Sequence, residues 1–390
     1  MSGLSLKSRL FLKLLKRTHG GTLLVTLPDG AKDSFGEGTP VIQVQVKSWQ
    51  TFDDLLDKGD LGLAEAAIRG DLLVDDMAAL VQWACRNEQA MDRFLHGTWY
   101  GTWMDRMRRL LTQNSREGAK KNIMAHYDLG NDFYSLWLDN TMTYSSAIFK
   151  TPGQTLEEAQ KQKYDRIIEA LNIKAGDHVL EIGCGWGGFF SRAVETTGCK
   201  VTAVMNSPAQ AHYNSKLIAS KGFAGNVSLQ QMDYRDIEGR YDKIVSIEMI
   251  EAVGEKYWDS FFGKVSASLK EKGEALVQAI TIDDNYFDSY RKRTDFIQRY
   301  VFPGGMLLAP QVFMSYAPRK DLKVDAPFEF GLSYADTLRK WKENFVGVES
   351  QIQGMGFDDK FMRLWKLYLD YCEGAFRAER INVGHYVMQK

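Results

Sequence analysis

The sequence VLEIGCGWGG (residues 179–188) is a short apolar run that ends in an acidic residue and passes directly into a glycine-rich turn. Such a stretch predicts a β-strand that brings a ligand to the N-terminus of the next helix, because glycines let the backbone approach a ligand closely. A tight turn without a ligand is the alternative. The strand and helix patterns on both sides of the turn favour a cofactor site.

The spacing within this turn indicates which cofactor is bound. The order Glu-x-Gly-x-Gly-x-Gly differs from the Gly-x-Gly-x-x-Gly fingerprint that fits the pyrophosphate of a dinucleotide. A carboxylate inside the turn would repel a pyrophosphate but would attract the amino-acid end of S-adenosylmethionine (SAM). The residues predicted to bind SAM here are Glu181, Gly183, Gly185 and Gly187.

Composition excludes several classes of protein. The chain has 390 residues, of which 44% are hydrophobic and 25% charged, and its formal net charge of -1 gives no support to nucleic-acid binding. The four cysteines have neither disulfide-framework nor metal-ligand spacing, so we expect a reduced, cytoplasmic setting and no metal site. No apolar run reaches the roughly 18 residues that span a bilayer. We expect one large or two unequal globular domains.

Residues 4–17 form a basic segment in which leucines alternate with five lysines or arginines and no acid. The pattern is typical of an amphipathic helix that lies on an anionic membrane surface. It is equally typical of a helix that packs on its own domain and leaves its basic face in water. Peripheral attachment to the inner face of the membrane is therefore one of two interpretations.

Residues 1–113 predict a small α+β domain with membrane or dimer contacts. Residues 22–26 and 41–46 alternate like half-buried strands, and helical patterns then run from residue 51 to about 111. The predicted interruptions of these helices are Gly59, Gly62 and Gly70. A polar linker leads to the second domain, residues 114–390.

From residue 156 onward the pattern alternates between helix and strand. The predicted helices are 156–171 and 187–197, followed by one that begins at Ser207-Pro208. The predicted strands are 178–182, 200–205, 227–231, 243–247 and 274–279. Such alternation predicts an α/β fold in which a parallel sheet is covered by helices on both faces. Ligands on such sheets bind at the carboxyl ends of the strands.

Polar residues follow each predicted strand. Asn206 and Gln210 are suited to ribose hydroxyls, whereas Asp233 is suited to an adenine amino group on which Tyr234 stacks. A helix cap or turn is the alternative role for Asp233. Two carboxylates, Glu248 and Glu251, follow the fourth strand, and an apolar strand end is an expensive place for charge unless it is used or paired.

Several longer motifs resemble the cyclopropane-fatty-acyl-phospholipid synthases. They are HYDLGNDFY (126–134), TYSSA (143–147), the glycine turn, MIEAVG (249–254), YVFPGG (300–305) and CEGAFR (372–377). The resemblance spans residues 120–390. It implies a Rossmann-like SAM-dependent methyltransferase with a seven-stranded sheet, which methylates the double bond of unsaturated acyl chains in membrane phospholipids. Peripheral membrane association and a homodimer are further expectations from the family.

The resemblance also assigns site residues. It adds Tyr127, Tyr144 and Ser145 to the predicted SAM site. The family is understood to use a bound bicarbonate as the base, held by a Cys, a Glu, a His, a Tyr and a backbone amide. Glu251, Tyr334 and Ile280 match three of these positions, but Ser146 stands at the Cys position and Gln278 at the His position.

Two interpretations of this altered site remain open. The bicarbonate site persists, because serine and glutamine both donate hydrogen bonds, or it is lost and Glu251 becomes the base. Glu248 is an alternative to Glu251, which the family match favours. The leading product is a cyclopropane fatty acid. The alternatives are a methyl- or methylene-branched chain, a methylated diene on the way to a furan fatty acid, a methylated small soluble substrate, and a non-catalytic lipid or SAM sensor.

Overall fold

The computed structural model describes residues 6–88 and 129–390, and these divide into two compact units. The first unit combines residues 6–88 with Ser289–Val301 and Val346–Arg380. The second unit contains residues 129–288, Phe302–Phe345 and Ile381–Lys390. The predicted boundary at residue 113 lies outside the described residues and stays a prediction.

The first unit contains a four-stranded sheet within residues 6–88, in the order β2-β1-β3-β4. Its strands are β1 (Gly21–Thr26), β2 (Lys32–Glu37), β3 (Val41–Val46) and β4 (Leu72–Val74). Its helices are α1 (Leu6–Leu15), α2 (Gln50–Lys58), α3 (Asp60–Arg69), α4 (Met77–Arg86), α11 (Phe296–Tyr300), α14 (Glu349–Gly354) and α15 (Asp359–Arg377). The sequence analysis did not predict β2, because Phe35 is the one buried residue of this polar strand.

The predicted helix interruption at Gly62 is wrong. Gly62 lies inside α3, and a Cβ atom there would lie only 2.0 Å from the backbone oxygen of Asp54 in α2. The glycine therefore permits close packing of two helices within the first unit, and the helix continues through it. Gly59 and Gly70 do end α2 and α3, and both adopt positive φ angles of 64° and 86°.

Helix α1 buries part of its apolar side in the first unit. Phe11 and Leu15 are each 5% exposed, and the ring of Phe11 lies 6.5 Å from that of Phe52 in α2. Lys13, together with Lys16 and Arg17 directly after the helix, remains exposed. This arrangement favours the interpretation in which the helix packs on its own domain and presents its charges to water.

The second unit contains the predicted parallel sheet. Its strands are β5 (His178–Ile182), β6 (Lys200–Met205), β7 (Val227–Gln231), β8 (Tyr241–Ile247), β9 (Leu269–Ile282), β10 (Lys323–Val324), β11 (Phe328–Glu329) and β12 (Ile381–Gln389). Its helices, some of which reach the unit borders, are α5 (Gly130–Ser135), α6 (Leu156–Ala170), α7 (Gly188–Thr197), α8 (Pro208–Lys221), α9 (Trp258–Ser268), α10 (Asp284–Tyr290), α12 (Pro310–Tyr316) and α13 (Gly331–Gly347).

Within residues 129–390 seven strands form one path, β10-β12-β9-β8-β5-β6-β7, and β11 pairs beside β10 on β12. Strands β5 to β9 pair with one another in parallel, whereas β12 is antiparallel to β9, β10 and β11. The predicted seven-stranded sheet is thus present with one short extra strand. Since parallel strands end at the same edge, the polar residues after β5, β6 and β8 come together there.

No helix within residues 6–88 and 129–390 is long and apolar enough to span a bilayer.

Candidate active site

The glycine turn after β5 is fixed by hydrogen bonds to the neighbouring strand. The backbone N–H groups of Gly183 and Cys184 both donate to the carbonyl oxygen of Val204 in β6, at 2.9 and 3.1 Å. The buried Asn214 of α8 donates to the carbonyl oxygen of Gly185 at 2.8 Å. Two neighbouring elements therefore hold the turn in one conformation before any ligand binds.

The glycines of this turn have different physical roles. Gly185 has a φ of 51°, and a Cβ atom there would meet no described heavy atom within 4 Å. Gly187 has a φ of 84°, and a Cβ atom there would lie 2.4 Å from the ring of Phe190. Gly185 thus faces open space, whereas Gly187 is required for the packing of the first turn of α7.

A cavity lies beside the glycine turn in the second unit. Eight of the predicted site residues line it, namely Tyr144, Ser145, Glu181, Gly183, Gly185, Asn206, Gln210 and Tyr234. Gly187 and Asp233 are not among its described lining residues, and Tyr127 lies outside the described part of the chain. Glu248 lines the cavity as well, on the side where β8 ends.

Glu181 provides a buried carboxylate at this cavity. It is 3% exposed and accepts a hydrogen bond from the backbone N–H of Phe190, near the N-terminus of α7. Burial raises the pKa of Glu181 well above its usual value, although the nearby Lys163 acts in the opposite direction. Its Oε2 atom has no hydrogen-bond partner among the described residues. An acceptor with unused capacity, beside the open space at Gly185, fits the amino group of SAM.

Asp233 is engaged within its own turn. Its carboxylate accepts from the backbone N–H of Arg235 at 2.9 Å and from the guanidinium of the same residue at 2.7 and 2.6 Å. These contacts agree with the cap or turn role that the sequence left open for Asp233. Its predicted role toward adenine stays a prediction.

Helix α6 holds the segment that carries Tyr144, Ser145 and Ser146. The ammonium of Lys163 donates to the hydroxyl of Ser145 at 2.6 Å, and the side chain of Gln160 donates to the carbonyl oxygen of Ser145 at 2.8 Å. Lys163 and Gln160 are both fully buried. The segment therefore depends on two polar side chains that project from one helix face.

Aromatic rings surround Tyr144. Its ring centroid lies 5.1 Å from that of Trp341, 5.3 Å from that of Tyr134 and 5.8 Å from that of Trp137. Tyr334 also packs on Trp341, at 6.1 Å. Of these rings, only Tyr144 is among the described residues that line the cavity, and the others are buried. An aromatic ring at this place is suited to a transient positive charge.

Three of the predicted catalytic residues converge on Glu248. The backbone N–H of Ser146 and the side-chain amide of Gln278 donate to Glu248 Oε1 at 2.8 and 2.7 Å. The hydroxyl of Tyr334 donates to Glu248 Oε2 at 2.7 Å. We call these three donors and Glu248 the carboxylate cluster.

Glu251 has different surroundings. Its Oε1 atom accepts the backbone N–H of Ile280 at 2.6 Å, while its Oε2 atom has no partner among the described residues. Burial and the charge of Glu248 raise the pKa of Glu251 to about 8. The structure therefore pairs Glu251 with Ile280, and brings Ser146, Gln278 and Tyr334 to Glu248 instead.

A chain of hydrogen bonds supports Gln278 from behind. Its side-chain oxygen lies 2.9 Å from His385 Nε2, and His385 Nδ1 lies 3.2 Å from the guanidinium of Arg166. Arg166 can only donate, so His385 carries its proton on Nε2 and donates it to Gln278. Burial lowers the pKa of His385 well below its usual value, which keeps the ring neutral. This chain directs the amide donor of Gln278 toward Glu248.

Lys163, Arg166 and His385 were not among the site residues predicted from the sequence. Lys163 had a detectable signal, because it falls at helical spacing between Ala159 and Ile167 on the buried side of α6. His385 had none, since its place beside Gln278 depends on the antiparallel pairing of β9 with β12. Within residues 6–88 and 129–390 there is no group of three or more His, Cys, Asp or Glu residues that could hold a metal ion.

A protein-family model described as mycolic acid cyclopropane synthetase matches residues 114–386 of the chain. The tuberculostearic acid methyltransferase UfaA1 of Mycobacterium tuberculosis is 34% identical over 339 residues, which cover 85% of this chain and 79% of that protein. The cyclopropane-fatty-acyl-phospholipid synthase of Escherichia coli K12 is 32% identical over 359 residues, which cover 90% of this chain and 89% of that protein.

Solved structures share the same fold. That of the mycolic acid cyclopropane synthase CmaA1, complexed with SAH and CTAB, has a TM-score of 0.65 and 29% sequence identity, and covers 70% of this chain and 98% of that chain. The structure of coclaurine N-methyltransferase, also bound to SAH, has a TM-score of 0.64 at 20% identity and supports the fold alone. The predicted methyltransferase fold and SAM-dependent methyltransferase activity are confirmed by these similarities.

Proposed function

The chain belongs to the mycolic acid cyclopropane synthetase family of SAM-dependent fatty-acyl methyltransferases, and on this premise we propose that it methylates the double bond of an unsaturated acyl chain in a membrane phospholipid. One observation carries the proposal. The glycine turn that fits SAM and the half-buried carboxylate of Glu248 line the same cavity, so a methyl donor and a proton acceptor would face one substrate. SAM supplies an electrophilic sulfonium methyl group.

The chemistry of an alkene explains why such a site is needed. An isolated double bond is a weak nucleophile, so it must be held against the methyl group in a cavity that excludes water. Methyl transfer leaves a carbocation, which the ring of Tyr144 at the cavity can stabilise through its face. The cation must then lose a proton to a positioned base.

The product that we propose first is a cyclopropane fatty acid. Ring closure requires that the proton leave the transferred methyl group. The second candidate is a branched chain without a ring. Loss of a proton from a neighbouring chain carbon gives a methyl-branched alkene. A hydride shift from the methylated carbon to the cationic carbon, followed by loss of a proton from the transferred methyl group, gives a methylene branch. The relative named tuberculostearic acid methyltransferase and the departures at Ser146 and Gln278 favour this candidate. A diene acyl chain on the way to a furan fatty acid remains a third substrate to test.

We propose that the protein reaches its lipid as a peripheral protein on the cytoplasmic face of the membrane. The exposed basic residues Lys13, Lys16 and Arg17 beside helix α1 support an attraction to anionic headgroups. The family also leads us to propose a homodimer. The small N-terminal domain, residues 1–113, would provide one of these contacts.

The test uses purified protein, SAM that carries a fully deuterated methyl group, and vesicles of monounsaturated phospholipid. Mass spectrometry of the released fatty acids then distinguishes the candidates. A ring-containing product that has lost one of the three deuterium atoms establishes cyclopropane synthesis. An acyclic branched product establishes methylation without ring closure: a methyl-branched alkene retains all three deuterium atoms, whereas a methylene branch retains two.

The control reaction replaces the vesicles with saturated phospholipid, which offers no double bond. Product from saturated lipid, or from small soluble acceptors without any lipid, would contradict the proposed substrate. If monounsaturated lipid gives no product while SAM still binds, the same assay is repeated with conjugated diene lipid. Binding of SAM without turnover on any of these lipids would favour a sensor over an enzyme.

A further inference from the structure

Glu248 occupies the position where the family would place a small anion. A bicarbonate ion at this point would need the donors of Ser146, Gln278 and Tyr334. All three already donate to the carboxylate of Glu248, at 2.7 to 2.8 Å. A second anion would find no free donor in this set and would be repelled by Glu248 itself. The residues present therefore do not fit a bound bicarbonate.

The backbone at Glu248 provides an independent observation. Its φ of 48° lies in the left-handed region, where a residue with a side chain costs roughly 1–2 kcal/mol. A glycine would adopt this conformation without strain. The fold nevertheless holds a glutamate there, and Glu248 N–H also donates to the carbonyl oxygen of Gln278 at 2.9 Å. Strained backbone of this kind at a cavity wall is typical of a functional position.

The charges around Glu248 keep it usable as a base. Burial raises the pKa of Glu248 above the usual glutamate value, and the charge of Lys163 together with the three hydrogen bonds opposes this effect. Lys163 is fully buried, and burial lowers its pKa to about 7, although its attraction to Glu248 opposes this effect. A carboxylate with a raised pKa, held in one orientation, matches the properties of a general base at neutral pH.

We propose that Glu248 is the resident proton acceptor of this enzyme, and that the chain carries out its reaction without bicarbonate. The inference rests on the proposed function, because only methyl transfer to an alkene creates a cation that must lose a proton. It assigns the role of the base to Glu248 rather than to Glu251.

The π pair of the alkene forms the bond to the methyl carbon, the pair of the S–CH3 bond stays on sulfur, and the other alkene carbon becomes cationic. Glu248 then takes a proton. If the proton comes from the new methyl group, the released C–H pair closes a ring; if it comes from a neighbouring carbon, the pair forms a double bond. Glu248 later returns the proton to water.

The experiment compares the full-length protein with Glu248→Gln and Glu248→Gly, in carbonate-free buffer and with added bicarbonate. The wild type should turn over equally in both buffers. Glu248→Gln should lose at least about 100-fold in kcat in both, because it keeps the shape but not the basicity. Glu248→Gly relaxes the backbone and frees the three donors, so bicarbonate should restore part of its activity. Glu271→Gln, a change at an exposed glutamate, serves as the control and should match the wild type.

A binding measurement separates this inference from the proposed function. The carbon-13 NMR signal of labelled bicarbonate should broaden with Glu248→Gly and stay sharp with the wild type, whether or not a lipid product is found. Failure of the wild type to methylate any unsaturated lipid would overturn the proposed function alone. Three results would overturn the role of Glu248. Bicarbonate could stimulate the wild type, bicarbonate could bind to the wild type, or Glu248→Gln could turn over as fast as the wild type.

Discussion

Gln278 and His385 lie directly opposite each other on β9 and β12, and the side-chain oxygen of Gln278 accepts a hydrogen bond from His385 Nε2 at 2.9 Å. The contact joins two residues that are 107 positions apart in the chain. It fixes which end of the Gln278 amide faces Glu248. The orientation of the neutral side chain that donates to Glu248 is thus set by a neutral histidine behind it.

Gln278→Leu should reveal how much this contact contributes. The change removes a donor from Glu248 and leaves the buried N–H of His385 without its acceptor, so we expect a loss of about 1–3 kcal/mol in the free energy of unfolding. Chemical denaturation measures this loss. The double variant Gln278→Leu and His385→Phe should lose less free energy of unfolding than the two single variants lose in sum, because the residues interact directly. Strict additivity would contradict the proposed coupling.

Glu251→Gln should change how stability depends on pH. The pKa of Glu251 is raised from 4.5 to about 8, so the folded state binds its proton more tightly than the unfolded state. Its contribution to stability is complete below about pH 4.5 and is lost as pH rises toward 8, by at most about 1.4 kcal/mol per pH unit. Glutamine imitates the neutral carboxyl and accepts from Ile280 at every pH.

We therefore expect Glu251→Gln to gain stability relative to the wild type between about pH 5.5 and pH 8. Denaturant titrations at both pH values measure the difference, and Glu271→Gln is the matched control. If the difference in free energy of unfolding between variant and wild type stays constant across this pH range, Glu251 is not held in its protonated form.

Gly185→Ala and Gly187→Ala should separate ligand binding from packing. At Gly187 the added methyl group would lie 2.4 Å from the ring of Phe190, so this variant should lose more than about 2 kcal/mol of stability. At Gly185 the methyl group would enter open space, and we expect a smaller loss of stability with a loss of SAM affinity. Thermal denaturation and calorimetric titration with SAH measure the two effects. Equal losses of affinity would contradict the assignment of Gly185 to the cofactor site.

Removal of the exposed charges near α1 should weaken binding to anionic vesicles. The triple variant Lys13→Gln, Lys16→Gln and Arg17→Gln should lose up to about 1 kcal/mol of vesicle-binding free energy per residue. Together this corresponds to a loss of about 100-fold in affinity. Co-sedimentation with vesicles at low and high salt measures the effect. A triple change at the exposed residues Lys174, Lys200 and Lys216 removes the same charge elsewhere and should have little effect. Equal weakening by both variants would argue against a specific surface.

The sequence predicted those parts of the site that depend on local pattern. The apolar run before Glu181 and the glycines after it gave the strand, the turn and the start of α7, because strand alternation and turn chemistry act over a few residues. Asn206 and Gln210, which follow the predicted strand 200–205, line the cavity, and their contact with the cofactor stays a prediction.

The carboxylate cluster could not be predicted in the same way. Glu248 and Glu251 are three residues apart, and which of them meets Ser146 and Tyr334 depends on the left-handed backbone at Glu248. Sequence does not reveal that conformation in a residue other than glycine. The contact between Tyr334 of α13 and Glu248 could not be predicted either. It depends on tertiary packing, which brings Tyr334 to a carboxylate 86 residues earlier in the chain.

The position of β12 between β9 and β10 has a consequence for biosynthesis. During translation the strand, glycine turn and helix of residues 178–197 emerge long before residues 381–389, which insert into the interior of the sheet. A nascent or proteolytically shortened chain that lacks β12 would retain the elements of the SAM site, but Gln278 would have no histidine to orient it. The methyl donor site can therefore form before the amide of Gln278 is oriented toward Glu248, and the late strand completes the carboxylate cluster only when the whole sheet has closed.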